Sequence, residues 1–383
     1  MSLWPPSRHA IAGVRTLPLR FAPVAGEGLD SWLEAVARGY DIPLGDLVSS
    51  CGIARTRPTA ASWLSLTCDE VCRLSHAAGV EPEAIRAMTV EHYGVDVLRG
   101  DEVRHHLDRA LWVRHASSRF CPDCLRESDG RWQLSWRLNW HFVCVKHRCL
   151  LADLCAVCDG AQRTRPPRAR RVPESGIRCR TGAPPSPACA ADLTGTDVLR
   201  LREEHPLLDA QRIVDDLLDE RSPHLSVYGG NPPGRDRILG DIKTLSQWIF
   251  ASVGQTEIDR HLPADIGTAV EAHRRTAAWP HGAAWWTARA TPSSLDTAAG
   301  ITIALEVLAL DEFSSAAAIL AQLMGSANSS GPYRAAISHG PALTSAVGAI
   351  HRAAHVVTRA EQKKLMSRRF YRGTAASPSG IAT

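Results

Sequence analysis

Apolar positions recur at helical spacing in two long stretches of the chain, separated by one that breaks the rule. In residues 30–100, Asp30 is placed to cap a helix whose apolar face is Trp32, Leu33, Val36 and Ala37. Thr67 and Glu70 form a capping box ahead of Val71 and Cys72, and Gly79 is placed to stop that helix. A shorter helix is expected at Pro82–Met88, with Pro82 in its first turn, so the pair has a helix-turn-helix outline. From Pro206 onward Leu207, Ala210, Val214, Leu217 and Leu218 line one face, and Ile238, Ile242, Leu245 and Ile249 another. Leu295–Met324 reads as two helices broken near Asp311, and Thr358 with Glu361 would cap a last, basic helix. Between these regions Trp132, Leu134, Trp136, Leu138, Trp140 and Phe142 alternate with polar residues, which predicts a half-buried strand. The tryptophans are also four apart, so a helix stays open there.

Eight cysteines crowd residues 121–189, a density that suits metal binding, so the expected fold is mainly α with small zinc-ribbon-like β elements. A helical, helix-turn-helix-like N-terminal region would cover residues 1–115, a zinc-binding module 116–195 and a helical C-terminal domain 200–383.

Charge changes this picture only locally. The net charge of +4 is close to neutral for 383 residues. Seven arginines nevertheless fall between Arg163 and Arg180 against the single acid Glu174, in a proline-rich stretch that reads as an extended loop. Arg163, Arg165, Arg168, Arg170 and Arg171 are the nucleic-acid-binding candidates, with a solvated loop as the plain alternative. Lys363, Lys364, Arg368, Arg369 and Arg372 form a second basic cluster. The opening MSLWPPSRHA lacks the apolar core of a signal peptide, and the apolar run Gly300–Leu310 is interrupted by Glu306. A cytoplasmic protein without a membrane segment is the expectation.

Cysteine carries the chemistry. Eight of eleven cysteines lie between Cys121 and Cys189, and in a chain without a signal peptide metal binding is the better default. Cys121-Pro-Asp-Cys124, Cys144-Val-Lys-His147 and Cys155-Ala-Val-Cys158 have knuckle spacing, and Cys179 with Cys189 forms a looser pair. Thiolates with one imidazole suit zinc. Sequential pairing assigns Cys121, Cys124, Cys144 and His147 to site one, and Cys155, Cys158, Cys179 and Cys189 to site two; an interleaved pairing of the same eight stays open. Cys149 is expected to be a small buried hydrophobe, and Cys51, Cys68 and Cys72 to sit on apolar helix faces. Two zinc ions are the expected cofactors. No phosphate loop and no His-Glu-x2-His is present, and His105, His106 and Asp108 lie on a charged segment read as solvated, as do Asp215, Asp216, Asp219 and Glu220. No catalytic residues are assigned.

Leu17-Pro18-Leu19 followed by Gly26-Glu27-Gly28-Leu29-Asp30-Ser31-Trp32-Leu33 resembles the opening signature of the TniQ family of transposition proteins, related to TnsD. Phe120-Cys121-Pro122-Asp123-Cys124-Leu125, Trp136-Arg137-Leu138, Cys144, Lys146, His147, Leu150, Leu151, Cys155, Cys158 and Cys189-Ala190-Ala191-Asp192-Leu193 continue the likeness through residues 15–195. Ala156 stands where the family usually has proline, and Gly182–Pro187 opens its usually compact last pair. The resemblance implies a non-catalytic adaptor that contacts an AAA+ ATPase regulator on one side and DNA or a CRISPR effector ribonucleoprotein on the other, with a homodimer as one arrangement. The contact with the ATPase would run through the segment of Glu27, Ser31 and Trp32, with Glu34 and Arg38 as its exposed positions. The alternative is a zinc-containing DNA-binding regulator without a transposition role.

Overall fold

In the computed structural model of the chain, the described residues are 14, 16–53, 64–93, 112–114, 117–164, 170–181, 189–221, 223–230, 232–276, 292–326 and 348–350. They form a mostly helical protein that divides into two compact units. The first comprises residues 1–219 with 291–297, and the second residues 220–290 with 298–383. Among the described residues no helix is long and apolar enough to cross a membrane.

The first unit opens with α1 (Leu29–Gly39), α2 (Leu44–Ser50), α3 (Cys68–Ala78) and α4 (Pro82–Ala87). Trp32, Leu33, Val36, Leu47, Val71, Leu74 and Ile85 are buried together as their common core. The N-cap of α1 is Gly28 and not Asp30, which instead lies buried in the first turn. The capping box of α3 forms as the spacing requires: the Glu70 amide donates to Thr67 Oγ1 at 3.2 Å and the Thr67 amide to Glu70 at 2.8 Å. Gly79 ends α3 at φ +63°, a left-handed geometry that glycine adopts without a Cβ penalty. Cys51 is fully buried, whereas Cys68, at the start of α3, is exposed and belongs to no apolar face.

After α5 (Pro122–Glu127) the expected strand over 132–142 does not form. A 3-10 turn at Leu134–Arg137 takes its place, followed by the two-residue antiparallel hairpin of β1 (Val143–Cys144) and β2 (Cys149–Leu150). The apolar half of the alternation is buried as expected. Its polar half faces water only in part: Gln133, Ser135 and His141 are half-buried, and Arg137 and Asn139 are buried, held by Asp30 and by the Trp112 carbonyl. A segment covered on both sides has no reason to keep a flat, one-sided strand. The unit ends in α6 (Pro206–Leu218), with Leu207, Ala210, Val214, Leu217 and Leu218 all buried as the spacing predicts. Gln211, also buried, accepts the Phe142 amide at 2.9 Å and so docks α6 on the entrance to β1.

The second unit contains α7 (Arg235–Ser252), α8 (Gln255–His261), α9 (Ala264–Thr276) and α11 (Phe313–Ser326), with α10 (Ser294–Leu308) reaching it after a first turn that belongs to the first unit. Ile238, Ile242, Leu245 and Ile249 of α7 are buried. From Ala298 onward α10 is buried nearly all round, as expected of a helix with so little polar face. A Cβ at Gly300 would meet the Ser246 carbonyl oxygen at 2.6 Å, so glycine sets the close approach of α10 to α7. The break between α10 and α11 falls at residues 309–312, at the expected Asp311. His105, His106, Asp108 and the basic helix expected from Thr358 lie outside the described residues.

Candidate metal centres

Site one is assembled by two short elements. Cys121 is the N-cap of α5, Pro122 presets the first helical turn, and Cys124 lies within it, so both sulfurs leave the same end of the helix. Cys144 is on β1, and His147 sits in the turn that leads through Arg148, at φ 48°, into β2. His147 Nδ1 lies 3.4, 3.2 and 3.5 Å from the sulfurs of Cys121, Cys124 and Cys144, and the Cys124 and Cys144 sulfurs are 3.6 Å apart. A tetrahedron with metal–sulfur bonds of about 2.3 Å has edges of about 3.8 Å, and its sulfur–nitrogen edges are slightly shorter. The four donors therefore fit a tetrahedral, thiophilic ion such as zinc.

The surroundings decide how these donors are held. His147 Nε2 lies 3.0 Å from Glu127 Oε1, and the other Glu127 oxygen accepts Lys146 Nζ at 2.5 Å. A carboxylate on Nε2 leaves the Nδ1 lone pair for the ion. Burial opposes protonation of this imidazole, but the bonds to Glu127 and Cys144 outweigh it and raise His147 to about 9. Among the thiols, hydrogen bonds from Cys124 and Cys144 hold Cys121 far below the ordinary thiol range, while the bond to Cys121 holds Cys124 above it. Close thiols share protons until a dication supplies the balancing charge. Ligand spacing does not single out Glu127. A signal is nevertheless present: it follows Cys124 by three residues, one turn along the same helix.

Site two gathers Cys155, Cys158, Cys179 and Cys189, with their sulfurs all within 4.8 Å of one another. The sulfurs of Cys158 and Cys179 are 3.7 Å apart, and those of Cys155 and Cys189 4.0 Å. The sequential grouping is thus the one brought together, and the interleaved grouping is not. The nine residues between Cys179 and Cys189 are bridged by backbone pairing: the Cys189 amide donates to Thr181 and the Ala190 amide to Cys179. Burial opposes ionisation of Cys179, yet hydrogen bonds from Thr181 and Gln162 bring its thiol down to about 7. Gln162 Nε2 donates to the Cys179 sulfur at 3.3 Å, a role with no mark in the sequence.

Beside Gln162, Arg163 departs from its expected role. Its side chain is 9% exposed and its Nη2 lies 2.7 Å from Asp30 and 3.2 Å from Glu34. Its guanidinium also lies over the Trp132 ring, 5.2 Å from the centroid. A phosphate cannot reach it, because carboxylates already occupy its donors. Arg170 and Arg171 are exposed, and Arg165 and Arg168 lie outside the described residues.

The carboxylates that capture Arg163 belong to the N-terminal signature, and they explain it. Asp30 also accepts Arg137 at 2.6 Å, Glu34 accepts Arg180 at 3.0 Å, and Glu27 accepts Arg131 at 2.7 Å. Ser31 Oγ donates to Glu27 at 2.7 Å and accepts the Trp132 amide at 2.8 Å. Burial alone would raise Asp30, but the guanidinium groups of Arg137 and Arg163 hold it well below the usual carboxylate range. At Gly26 the backbone has φ +73°, and a Cβ would stand 2.3 Å from Gln133, so the turn that delivers Glu27 to Arg131 requires glycine. Of the two positions expected to be exposed, Glu34 is buried and Arg38 half-buried; Trp32 belongs to the core of α1–α4, and Glu27, Asp30, Ser31 and Glu34 are buried beside it. They fasten α1 to the cysteine-rich region.

Such a chain is a mainly helical protein whose first unit is organised around two four-donor, cysteine-rich clusters able to hold metal ions. The TniQ family model matches residues 18–151, so over that stretch the chain is similar to the TniQ family. The match takes in the signature of α1 and all of site one, and ends before Cys155. No curated protein matches the chain.

Proposed function

We propose that the chain is a non-catalytic target-selection adaptor in transposition, which binds target DNA or an RNA-guided effector ribonucleoprotein and recruits an AAA+ ATPase. The observation that carries this reading is the TniQ match laid over site one and its charged fastening to α1. Each cluster supplies four protein donors, which is the pattern of a structural zinc and leaves no position for substrate. The ions would be two zincs per chain, held by Cys121, Cys124, Cys144 and His147, and by Cys155, Cys158, Cys179 and Cys189.

The helix-turn-helix outline of α3, Gly79 and α4 is not where this reading places nucleic acid. The exposed positions of α4 and its cap include Glu81 and Glu83, which repel phosphate. Arg170 and Arg171 are the better candidates. The ATPase would meet exposed residues of the first unit, since Glu27, Ser31, Trp32 and Glu34 are buried.

Co-purification of the full chain with an AAA+ ATPase encoded beside it, with and without DNA and nucleotide, tests the proposal. Retention of the ATPase supports it. DNA binding without any ATPase contact returns the chain to a zinc-containing DNA-binding regulator.

A further inference from the structure

Site one has one sulfur too many. Cys149 is fully buried, and its sulfur lies 3.7 Å from that of Cys121, which is about one edge of a metal–thiolate tetrahedron. It reached that place through the hairpin: Cys149 pairs directly with Cys144 across β1 and β2, so the two side chains leave the same face of the ribbon. A small hydrophobe in this position would need only to fill space. This one stands beside two ligands with a donor atom of the kind the ion prefers.

His147 is the ligand most easily given up. It is the one donor of the four that is not a sulfur, it stands in the turn between the strands, and Glu127, which orients it, is half exposed. Loss of His147 would leave Cys121, Cys124 and Cys144 with an open fourth position, next to a fifth sulfur already in the core. We propose that Cys149 is a reserve ligand of site one, which takes the ion as a fourth thiolate when His147 is lost. Its thiol proton goes to solvent or buffer in that exchange, and no electrons are transferred. The inference rests on a thiophilic ion at site one.

The test loads the full chain with Co(II), whose sulfur-to-metal charge-transfer absorption grows with the number of thiolates bound. Wild type should take up two Co(II) per chain, one at each cluster. His147→Ala should still take up two, with a stronger charge-transfer band, and His147→Ala/Cys149→Ser should take up one. Cys149→Ser alone should keep both ions and the wild-type band. His147→Ala with a single Co(II), or with two and a band no stronger than wild type, overturns the reserve role. So does failure of both His147→Ala and His147→Asn to give folded protein, because the proposal requires the loss to be tolerated. Wild type that takes up no Co(II) at site one fails differently: it removes the metal assignment, and the reserve role falls with it.

Discussion

The two clusters use the same donor chemistry but differ in what surrounds them. In site one Cys121 and Cys144 are buried, and Phe120, Leu125, Trp132 and Trp136 share their core. A helix end and a hairpin present the donors, and Glu127 orients the imidazole. Site two shares that core through Cys155 and Cys179 but rests otherwise on loop backbone: Cys158 is exposed, Val157 beside it is 75% exposed, and isolated bridges tie its segments together. All four donors of site one are covered at least in part, whereas site two has one donor, Cys158, facing solvent. Identical ligands therefore should not have identical consequences, because what a metal stabilises is the structure that cannot persist without it.

The largest expected effect breaks that comparison directly. A structural zinc contributes on the order of 10–16 kcal/mol in a small module, against a total stability of about 5–15 kcal/mol for a typical domain. Cys121→Ser should sharply lower thermal stability. Cys158→Ser should leave a folded chain with one ion in place of two, read by elemental analysis alongside thermal unfolding. Equal losses in the two variants would show that the clusters are one cooperative centre.

Next in size is the fastening of α1. Asp30→Asn strands the buried guanidinium of Arg137, while Arg163 keeps Glu34, and should cost about 3–5 kcal/mol in thermal or denaturant unfolding, with both ions retained. The folded-state pKa of Asp30 is lowered, so its contribution is complete above the ordinary carboxylate pKa of about 3.9 and is lost as pH falls below it. The difference between wild type and Asp30→Asn should accordingly close on acidification. A difference that persists at low pH would mean the site contributes through packing and not charge.

Glu127→Gln should sharpen the contrast without unfolding anything, since Glu127 is half exposed. Loss of an orienting carboxylate typically weakens metal binding about 10–100-fold. Chelator competition should show this at site one alone. Unchanged competition would make Glu127 merely a surface partner of Lys146.

The smallest structural effect belongs to the exposed arginines. Arg170→Ala/Arg171→Ala should leave unfolding unchanged but reduce the salt dependence of DNA binding, by about 0.9 log units per log unit of salt for each phosphate that is no longer neutralised. Arg163→Ala should do the reverse, destabilising the chain and leaving that slope alone. If Arg163→Ala flattens the slope and the double variant does not, the exposed and buried roles have been exchanged.

What the sequence determined alone was whatever depends on near neighbours. Thr67 finds Glu70 and α3 stops at Gly79 because caps are completed within one turn. The apolar face of α6 and the knuckle pairs Cys121–Cys124 and Cys144–His147 are equally local. The TniQ signature was legible too, although its meaning was not: its acids resemble an exposed docking motif until their partners are known. Those partners lie about a hundred residues away, as Arg131, Arg137 and Arg163. Only the tertiary structure could turn Glu34 inward, take Arg163 from the nucleic-acid candidates, and replace the expected strand at 132–142 by a doubly covered turn. It also brought Cys149 beside Cys121. The physical reason is the same in each case: a charge or thiol is attractive or costly according to what surrounds it, and those surroundings are supplied by chain distant in sequence.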